Sequence, residues 1–443
     1  MTVIDVDQAA EHIHGICLKT GPPRRIGVEL EWLVRDARDP ALPVPAERIA
    51  AAVSAFAAEV THGGTAEAAE LIPRNGHRRR APALPSSSAP GVLPSGAALT
   101  TEPGGQLELS SLPADSLADC VACAAADLAA LRAAAADAGL ELTGVGLDPF
   151  RRPRRILHLP RYAAMEAYFD RWGPWGRQMM CGTASVQVCL DAGDDGDSTS
   201  GYRSRWRLLH AIGPVLVAAF ANSPLRDGRP TGWRSSRQQV WAHMDPGRTR
   251  PPRLDGDPRA DWTQYALDAR VMCIREEESG DWTAPPGLTL RDWVRGSALE
   301  GERLRPPTTA DLGYHLSTLF PPVRPRGHFE LRMIDAQPGD GWVVPVAVTS
   351  ALLSDAAAGD AALAAAERLR GGPRGPDPWV TAARFGPADF RVARASRECF
   401  TAARDALARQ DTPAAILAAV DAFTDQYVSK DRCPADDLLE AIR

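Results

Sequence analysis

The sequence predicts an α+β fold in which a mainly antiparallel β-sheet carries the chemistry and helices back it. Three observations lead there. Four short segments alternate apolar and polar side chains with period two, and each places a Glu or Gln centrally on its polar face. Helical periodicity fills the intervals, and beyond Val343 the pattern is almost entirely helical. No GxxxxGK[ST] loop occurs, and no GxGxxG turn joins a strand to a helix, so neither a P-loop nor a dinucleotide-binding crossover is indicated.

The first strand is 26–34, IGVELEWLV, which sets Val28, Leu30, Trp32 and Val34 against Glu29 and Glu31. The segment Arg74 to Ser95 has no apolar period and reads as a long loop, a candidate mobile lid. Gly105 to Ser110 sets Leu107 and Leu109 against Gln106, Glu108 and Ser110, with Glu102 just ahead of the Pro103-Gly104-Gly105 turn. Asp115 is expected to cap a helix that runs to about Ala138 and stops at Gly139. Thr183 to Asp191 sets Ala184, Val186, Val188 and Leu190 against Thr183, Ser185, Gln187 and Asp191. An apolar-periodic helix follows over Tyr202 to Ala221. The last strand, His328 to Met333, sets Phe329, Leu331 and Met333 against His328, Glu330 and Arg332. Helical runs at Ala361–Arg370, Arg391–Arg409 and Pro413–Val428 make the region from about 343 to 443 a helical layer with few polar constellations, expected to act as scaffold. The breaks at Asp191–Gly201, Asp245–Asp257 and Arg370–Pro378 separate no self-sufficient halves. A single domain over 1–443 is therefore expected.

One polar strand face ordinarily means only that an antiparallel sheet meets water on that side. Four such faces with the same acidic or amide centre call for more, because carboxylates held side by side repel and raise each other's pKa unless cations sit between them. If the strands are neighbours, Glu29, Glu31, Glu102, Glu108, Gln187 and Glu330 line one concave floor with oxygen donors throughout. Such donors select Mg²⁺ or Mn²⁺ over zinc, and magnesium held by a few carboxylates leaves room for water and substrate phosphates. That points to nucleotide chemistry without a P-loop. Arg332 shares the face of Glu330, and Arg324 and Arg326 precede it as candidates for triphosphate contacts. Arg234, Arg237 and Trp241 stand at spacings of three and four, so a helix would present Arg237 beside Trp241. That pair suits an α-carboxylate clamp against an aromatic wall, or equally surface arginines around one buried tryptophan.

Composition excludes several classes. A net charge of -6 gives no uniform basic face, so charge alone does not suggest a nucleic-acid or anionic-membrane partner. No run of 18 apolar residues occurs and the N-terminus lacks a signal-peptide pattern, so a cytoplasmic protein is expected. Lysine occurs only at Lys19 and Lys430, which leaves arginine to hold any phosphate or carboxylate. Eight scattered cysteines suggest no disulfide framework, and the Cys120/Cys123 pair lies inside an Ala-rich helical run with no second pair to complete a zinc site. His12 and His14 have no acidic or cysteine neighbours and read as surface residues.

The blocks IGVELE, TEPGGQLELSS, MMCGTASVQVCLD, FANSPLRDGRPTGWRSSRQQVWAHMDPGRT, DWTQYALDARVM and HLSTLFPPVRPRGHFELRMIDAQPGDGW, in order from about residue 26 to 342, together resemble glutamate-cysteine ligases of the plant and proteobacterial type. The overall character is most similar to actinobacterial members that serve ergothioneine biosynthesis. The resemblance implies a glutamine synthetase-like fold with a cupped sheet, and ATP-dependent joining of L-cysteine to the γ-carboxylate of L-glutamate. It implies metal positions at Glu29, Glu31, Glu102, Glu108, Gln187 and Glu330, with Glu102 and Arg332 catalytic. It further implies a glutamate site formed by Thr183, Arg237, Trp241 and Tyr265, and ATP contacts from Arg332 and Arg324. The sequence departs from the plant pattern at Cys189 (Asn there), Pro322 (acidic there) and Met333-Ile334 (Gly-Ala there). Two alternatives remain open: another amino acid–amine ligase on the same floor, and a metal- or nucleotide-binding regulatory protein without turnover. Nothing in the sequence specifies an oligomeric state.

Overall fold

The computed structural model describes residues 4–56, 93–276, 280–296, 304–369 and 375–442. Strand β1 (Ile26–Asp36) is the central strand of a seven-stranded sheet. Its partners are β2 (Ala98–Thr101), β3 (Leu107–Ser110), β4 (Leu140–Thr143), β5 (Ser185–Asp191), β6 (Val323–Pro325) and β7 (His328–Asp335). The order is β2-β3-β1-β5-β7-β6, every pairing is antiparallel, and β4 also pairs with the far end of β1.

The expected alternation decides which face is buried. Val28, Leu30, Trp32, Leu107, Leu109, Val186, Val188, Phe329 and Leu331 are all at most 2% exposed and form one face of the core. Residues pointing the other way are half-buried at Glu29, Glu31, Glu102, Glu108, Ser110, Cys189 and Arg332, so the polar face opens to solvent. Helices cover the apolar face. Helix α1 (Leu117–Asp137) packs on β1, α4 (Tyr202–Ala219) on β7, and α7 (Val343–Ser354) on β5. Helices α8 (Ala356–Glu367), α9 (Phe390–Arg409) and α10 (Ala414–Gln426) form the outer layer. Helices α2 (Pro160–Asp170), α3 (Trp175–Gly182) and α5 (Ser236–His243) pack in succession, α3 against both of the others, and α6 (Pro258–Asp268) follows α5 in the chain.

Several boundaries move by a residue or two. The cap of α1 is Ser116, whose hydroxyl accepts from the Asp119 N–H, and not Asp115. Ala114 is still bridged to Ile26, which holds the chain extended up to that point. Gly139 does end the helix, at φ +67°. Helix α4 stops at Ala219 because Asn222 is drawn into the sheet's polar end, where its N–H donates to Asp335 Oδ2. The expected lid at 74–95 lies outside the described residues except for its last three positions. Among the described residues no single helix is long and apolar enough to cross a membrane; α7 and α8 pass that test only as a pair, and they meet at a 106° bend.

The turn that delivers Glu102 is fixed by close packing. Gly105 takes φ +90°, and a Cβ on Gly104 would stand 2.3 Å from the Cys181 carbonyl oxygen at the end of α3. Gln106 donates to the Met180 and Thr183 carbonyls and accepts from the Gly104 N–H, which ties the turn to α3. Gly104→Ala must therefore displace backbone, and is expected to cost about 1–3 kcal/mol of folding stability by overpacking. Denaturant unfolding of the variant checks this; an unchanged midpoint would show that the turn yields freely.

Candidate active site

Strand register assembles the acidic floor. Glu29 stands opposite Ser110 on β3 and Gln187 on β5, while Glu31 stands opposite Glu108 on β3. Glu330 on β7 stands opposite Cys189 on β5 and Arg324 on β6. Glu102 joins from the turn after β2, where its N–H donates to the Gln106 carbonyl. The four glutamates Glu29, Glu31, Glu102 and Glu108 remain partly open to solvent. Their hydrogen bonds are light: Ser185 and Gln187 donate to Glu31 at 2.8 and 3.0 Å, and Thr100 and Ser110 each donate to Glu108 at 3.3 Å.

At the β7 end the pattern reverses, and the carboxylate is fully committed. Arg324 donates Nε and Nη2 to the two oxygens of the completely buried Glu330, at 2.9 and 2.7 Å. Arg332 Nη1 donates to Glu330 and also to Gln187 Oε1. A continuous polar relay therefore runs from Arg324 through Glu330, Arg332 and Gln187 to Glu31.

Electrostatics divide the same way. Burial, then the charge of Glu330, pushes Glu29 up to about 7. Burial, then Glu31, pushes Glu102 up to about 7. Glu108 is driven well above the carboxylate range by burial and by Glu29, Glu102 and Glu31. Glu330 is held below that range: burial opposes its charge, but Arg324, Arg332 and Arg326 together outweigh it. The open glutamates thus carry more negative charge than the protein neutralises, and every donor they offer is oxygen. Among the described residues no three Asp, Glu, His or Cys side chains converge on one point as a ready-made cage. A hard cation placed here would complete its shell with water or ligand oxygens, which is the habit of magnesium.

The expected glutamate-site residues divide. Arg237 and Trp241 do meet on α5, with the guanidinium 4.5 Å from the ring centroid. Arg237 is 1% exposed, donates to the Arg332 carbonyl at 2.8 Å, and leaves Nε and Nη1 buried without a hydrogen-bond partner among the described residues. The surface-arginine reading of this pair is thereby excluded. Arg234 lies outside the helix and pairs with Asp436 at 2.9 Å. Thr183 is buried and donates to the Met179 carbonyl at 2.7 Å, closing α3. Tyr265 stacks on Trp262 with centroids 5.2 Å apart, its hydroxyl is buried without a hydrogen-bond partner among the described residues, and its charged neighbours are Arg248 and Asp245. Arg324 also departs from expectation, since Nη1 donates to the Leu319 carbonyl and all three of its nitrogens are engaged by protein.

Two residues near the floor escaped the sequence reading. Arg161, at the start of α2, lies 4.8 Å over the Tyr314 ring and lowers the pKa of Glu102. The neighbouring Tyr162 is pushed upward in pKa by burial and by Glu102. The Arg161-Tyr162 pair sits in a short helix of weak period, and only its place in space marks it.

Residues 25–443 match the model of glutamate-cysteine ligase family 2. The chain belongs to that family. It is 37% identical over 446 residues to the glutamate–cysteine ligase EgtA of Mycobacterium tuberculosis, covering 99% of this chain and 91% of that one. It is 34% identical over 248 residues to the chloroplastic glutamate–cysteine ligase of Medicago truncatula, covering 54% and 47%. Among solved structures, the glutamate–cysteine ligase of Francisella tularensis in complex with AMP superposes with a TM-score of 0.49 at 12% identity, over 96% of this chain and 86% of that one. Within this family member, the departures noted in the sequence fall on the sheet. Cys189 is half-buried on the floor between Gly27 and Glu330, the Pro322 carbonyl accepts from the Arg332 N–H at 2.8 Å, and Met333 and Ile334 are core residues.

A carboxylate with a raised folded-state pKa destabilises the fold once it ionises. In buffer free of divalent cations, Glu29 should therefore cost stability as pH climbs from its ordinary 4.5 through about 7. Glu29→Gln removes that repulsion, so the variant is expected to exceed the wild type in stability at pH 8 and to match it near pH 5. Urea unfolding at both pH values measures the difference; equal stability at pH 8 would contradict the electrostatic account.

Proposed function

We propose that this chain catalyses ATP-dependent ligation of L-cysteine to the γ-carboxylate of L-glutamate, giving γ-glutamylcysteine, ADP and phosphate, for ergothioneine biosynthesis. The observation that carries the reading is the under-neutralised glutamate floor ending at Arg332, set in a chain whose family and near-full-length relatives are glutamate-cysteine ligases. The chain acts as one catalytic unit with the helical layer as scaffold. Its eight free cysteines and its use of ATP suit the cytoplasm.

The proposed metal positions are Glu29, Glu31, Glu102 and Glu108, with Glu330 and Gln187 at the edge of the set. These last two oxygen groups now hold arginines and would have to share them. Two or three Mg²⁺ ions, or Mn²⁺, would offset the negative charge of the triphosphate and of the substrate carboxylate. The residues of the chain perform the remaining work. Arg237 has two unpaired buried donors next to Trp241, which fits it to hold the α-carboxylate of glutamate. In the first step the γ-carboxylate oxygen attacks the γ-phosphorus of ATP and ADP leaves, forming γ-glutamyl phosphate. Arg332 is placed to stabilise charge spreading over the transferred oxygens. In the second step the amine of cysteine attacks the acyl carbon, phosphate leaves, and the amine proton is lost. Glu102 is the proposed catalytic carboxylate on this side, with Arg161 beside it.

The test is ADP release with ATP, Mg²⁺ and glutamate against a panel of amines. Turnover that requires cysteine supports the reading; turnover with a different amine and none with cysteine would reassign the acceptor. Glu29→Gln should lower kcat by at least about 100-fold if the floor is catalytic. Full activity in that variant would falsify the metal assignment.

A further inference from the structure

We propose that the two arginines of the β6–β7 hairpin divide the phosphate work: Arg326 makes the direct nucleotide contact, and Arg324 is a positioning residue that acts through Glu330 on Arg332. The inference rests on the ligase reading above.

Sequence alone treats Arg324 and Arg326 as equivalent, two residues apart on one strand face. The structure gives them opposite surroundings. Arg324 is 6% exposed, and its fork closes on Glu330 in a two-point contact while Nη1 takes the Leu319 carbonyl. Three of its five N–H groups are spent on protein oxygens, two of them on Glu330. Buried between β6 and β7, it fixes both oxygens of that carboxylate. Glu330 then fixes the Arg332 guanidinium, and Arg332 reaches across to Gln187.

Arg326 stands at the rim. Its side chain is 43% exposed, its Nη1 lies 3.8 Å from Glu330, and its guanidinium makes no hydrogen bond among the described residues. The carboxylate it approaches is Glu330 on the floor, the same one that Arg324 and Arg332 hold. The hairpin turn behind it is tied down: Gly327 takes φ +81° and donates to the Cys17 carbonyl at 2.7 Å, and the Arg326 N–H donates to the His328 carbonyl at 2.8 Å. Next to it the floor is low, since Gly27 has no side chain and Cys189 is small. An anionic chain of phosphates entering over Glu29 meets Arg326 as an exposed cation at 3.8 Å from Glu330, and Arg324 as a closed pair.

The two roles respond differently to lysine. A phosphate contact tolerates a point charge, whereas a two-point fork on a carboxylate does not. Steady-state kinetics with ATP varied, at saturating glutamate and cysteine, should show Arg326→Ala raising KM for ATP about tenfold with kcat nearly kept, and Arg326→Lys restoring most of it. Arg324→Lys should lower kcat about tenfold or more while KM for ATP stays within about threefold. Arg326→Ala with an unchanged KM for ATP would overturn the contact. Arg324→Lys with raised KM and normal kcat would overturn the positioning role, as would loss of the folded protein by circular dichroism, which would make Arg324 structural. A wild-type chain that releases no ADP with glutamate and cysteine would instead defeat the ligase reading on which both assignments stand.

Discussion

Mutual repulsion among four glutamates on one sheet face is the constraint around which the structure is organised. Two unit charges 4 Å apart repel by about 4 kcal/mol at the effective dielectric typical of such sites, so a cluster of this kind would spring open if carried on loops. Here the glutamates project from β1, β3 and the β2–β3 turn, and the register of three hydrogen-bonded strands sets their spacing. The opposite face supplies the resisting energy. Val28, Leu30, Leu107, Leu109 and Val188 are nearly inaccessible, and each such side chain contributes about 1.5–3 kcal/mol by burial. The fold thus holds charge in an arrangement that charge alone would reject.

The cations are distributed unevenly, and the unevenness is informative. Neutralising all the glutamates internally would have produced a stable, inert surface. Arginines gather instead at the β6–β7 end around Glu330, while burial first, and neighbouring carboxylates second, raise the pKa of Glu29, Glu102 and Glu108. Strongly displaced carboxylates in an open concavity mark a site prepared for something positive to arrive. The same separation explains why stability and activity should pull in opposite directions at Glu29: the charge that unsettles the floor is the charge a cation would use.

Much of this was legible in the sequence, because period-two alternation is a strong signal and the acidic side chains were on its solvent face. The strand assignments of Glu29, Glu31, Glu108, Gln187 and Glu330 needed only that periodicity, and their mutual adjacency followed from the antiparallel pairing. Arg237 beside Trp241 followed from helical spacing. What spacing could not convey was saturation. Arg324 and Arg326 share a face, yet one is closed on Glu330 and the other open, a difference set by which residue lies inward of the hairpin turn. The surroundings of Tyr265 were hidden for a related reason, since α6 sets its ring against Trp262 with the Arg248–Asp245 pair as charged neighbours. Arg161 was invisible because nothing local distinguishes it from other surface arginines.

Strand β7 holds a further irregularity that the alternation hid. Val186 and Val188 on β5 pair with Ile334 and Leu331, so Arg332 and Met333 together oppose Gln187, and β7 carries one extra residue at that point. Without it, alternation from Glu330 would put Asp335 on the core face. The bulge returns Asp335 to the floor side, opposite Ser185, where it accepts from Asn222, Ser223 and Ser235 and lies 3.9 Å from Arg237. It also turns two successive carbonyls out of the ladder: Arg332 O accepts from Arg237 and Met333 O from Gln238, at 2.8 and 2.9 Å. One inserted residue therefore anchors the first turn of α5 and sets the direction of the clamp arginine. The trace it leaves in the sequence is Met333-Ile334, two apolar residues in succession where a regular strand would alternate. This is one of the points at which the chain departs from the plant pattern.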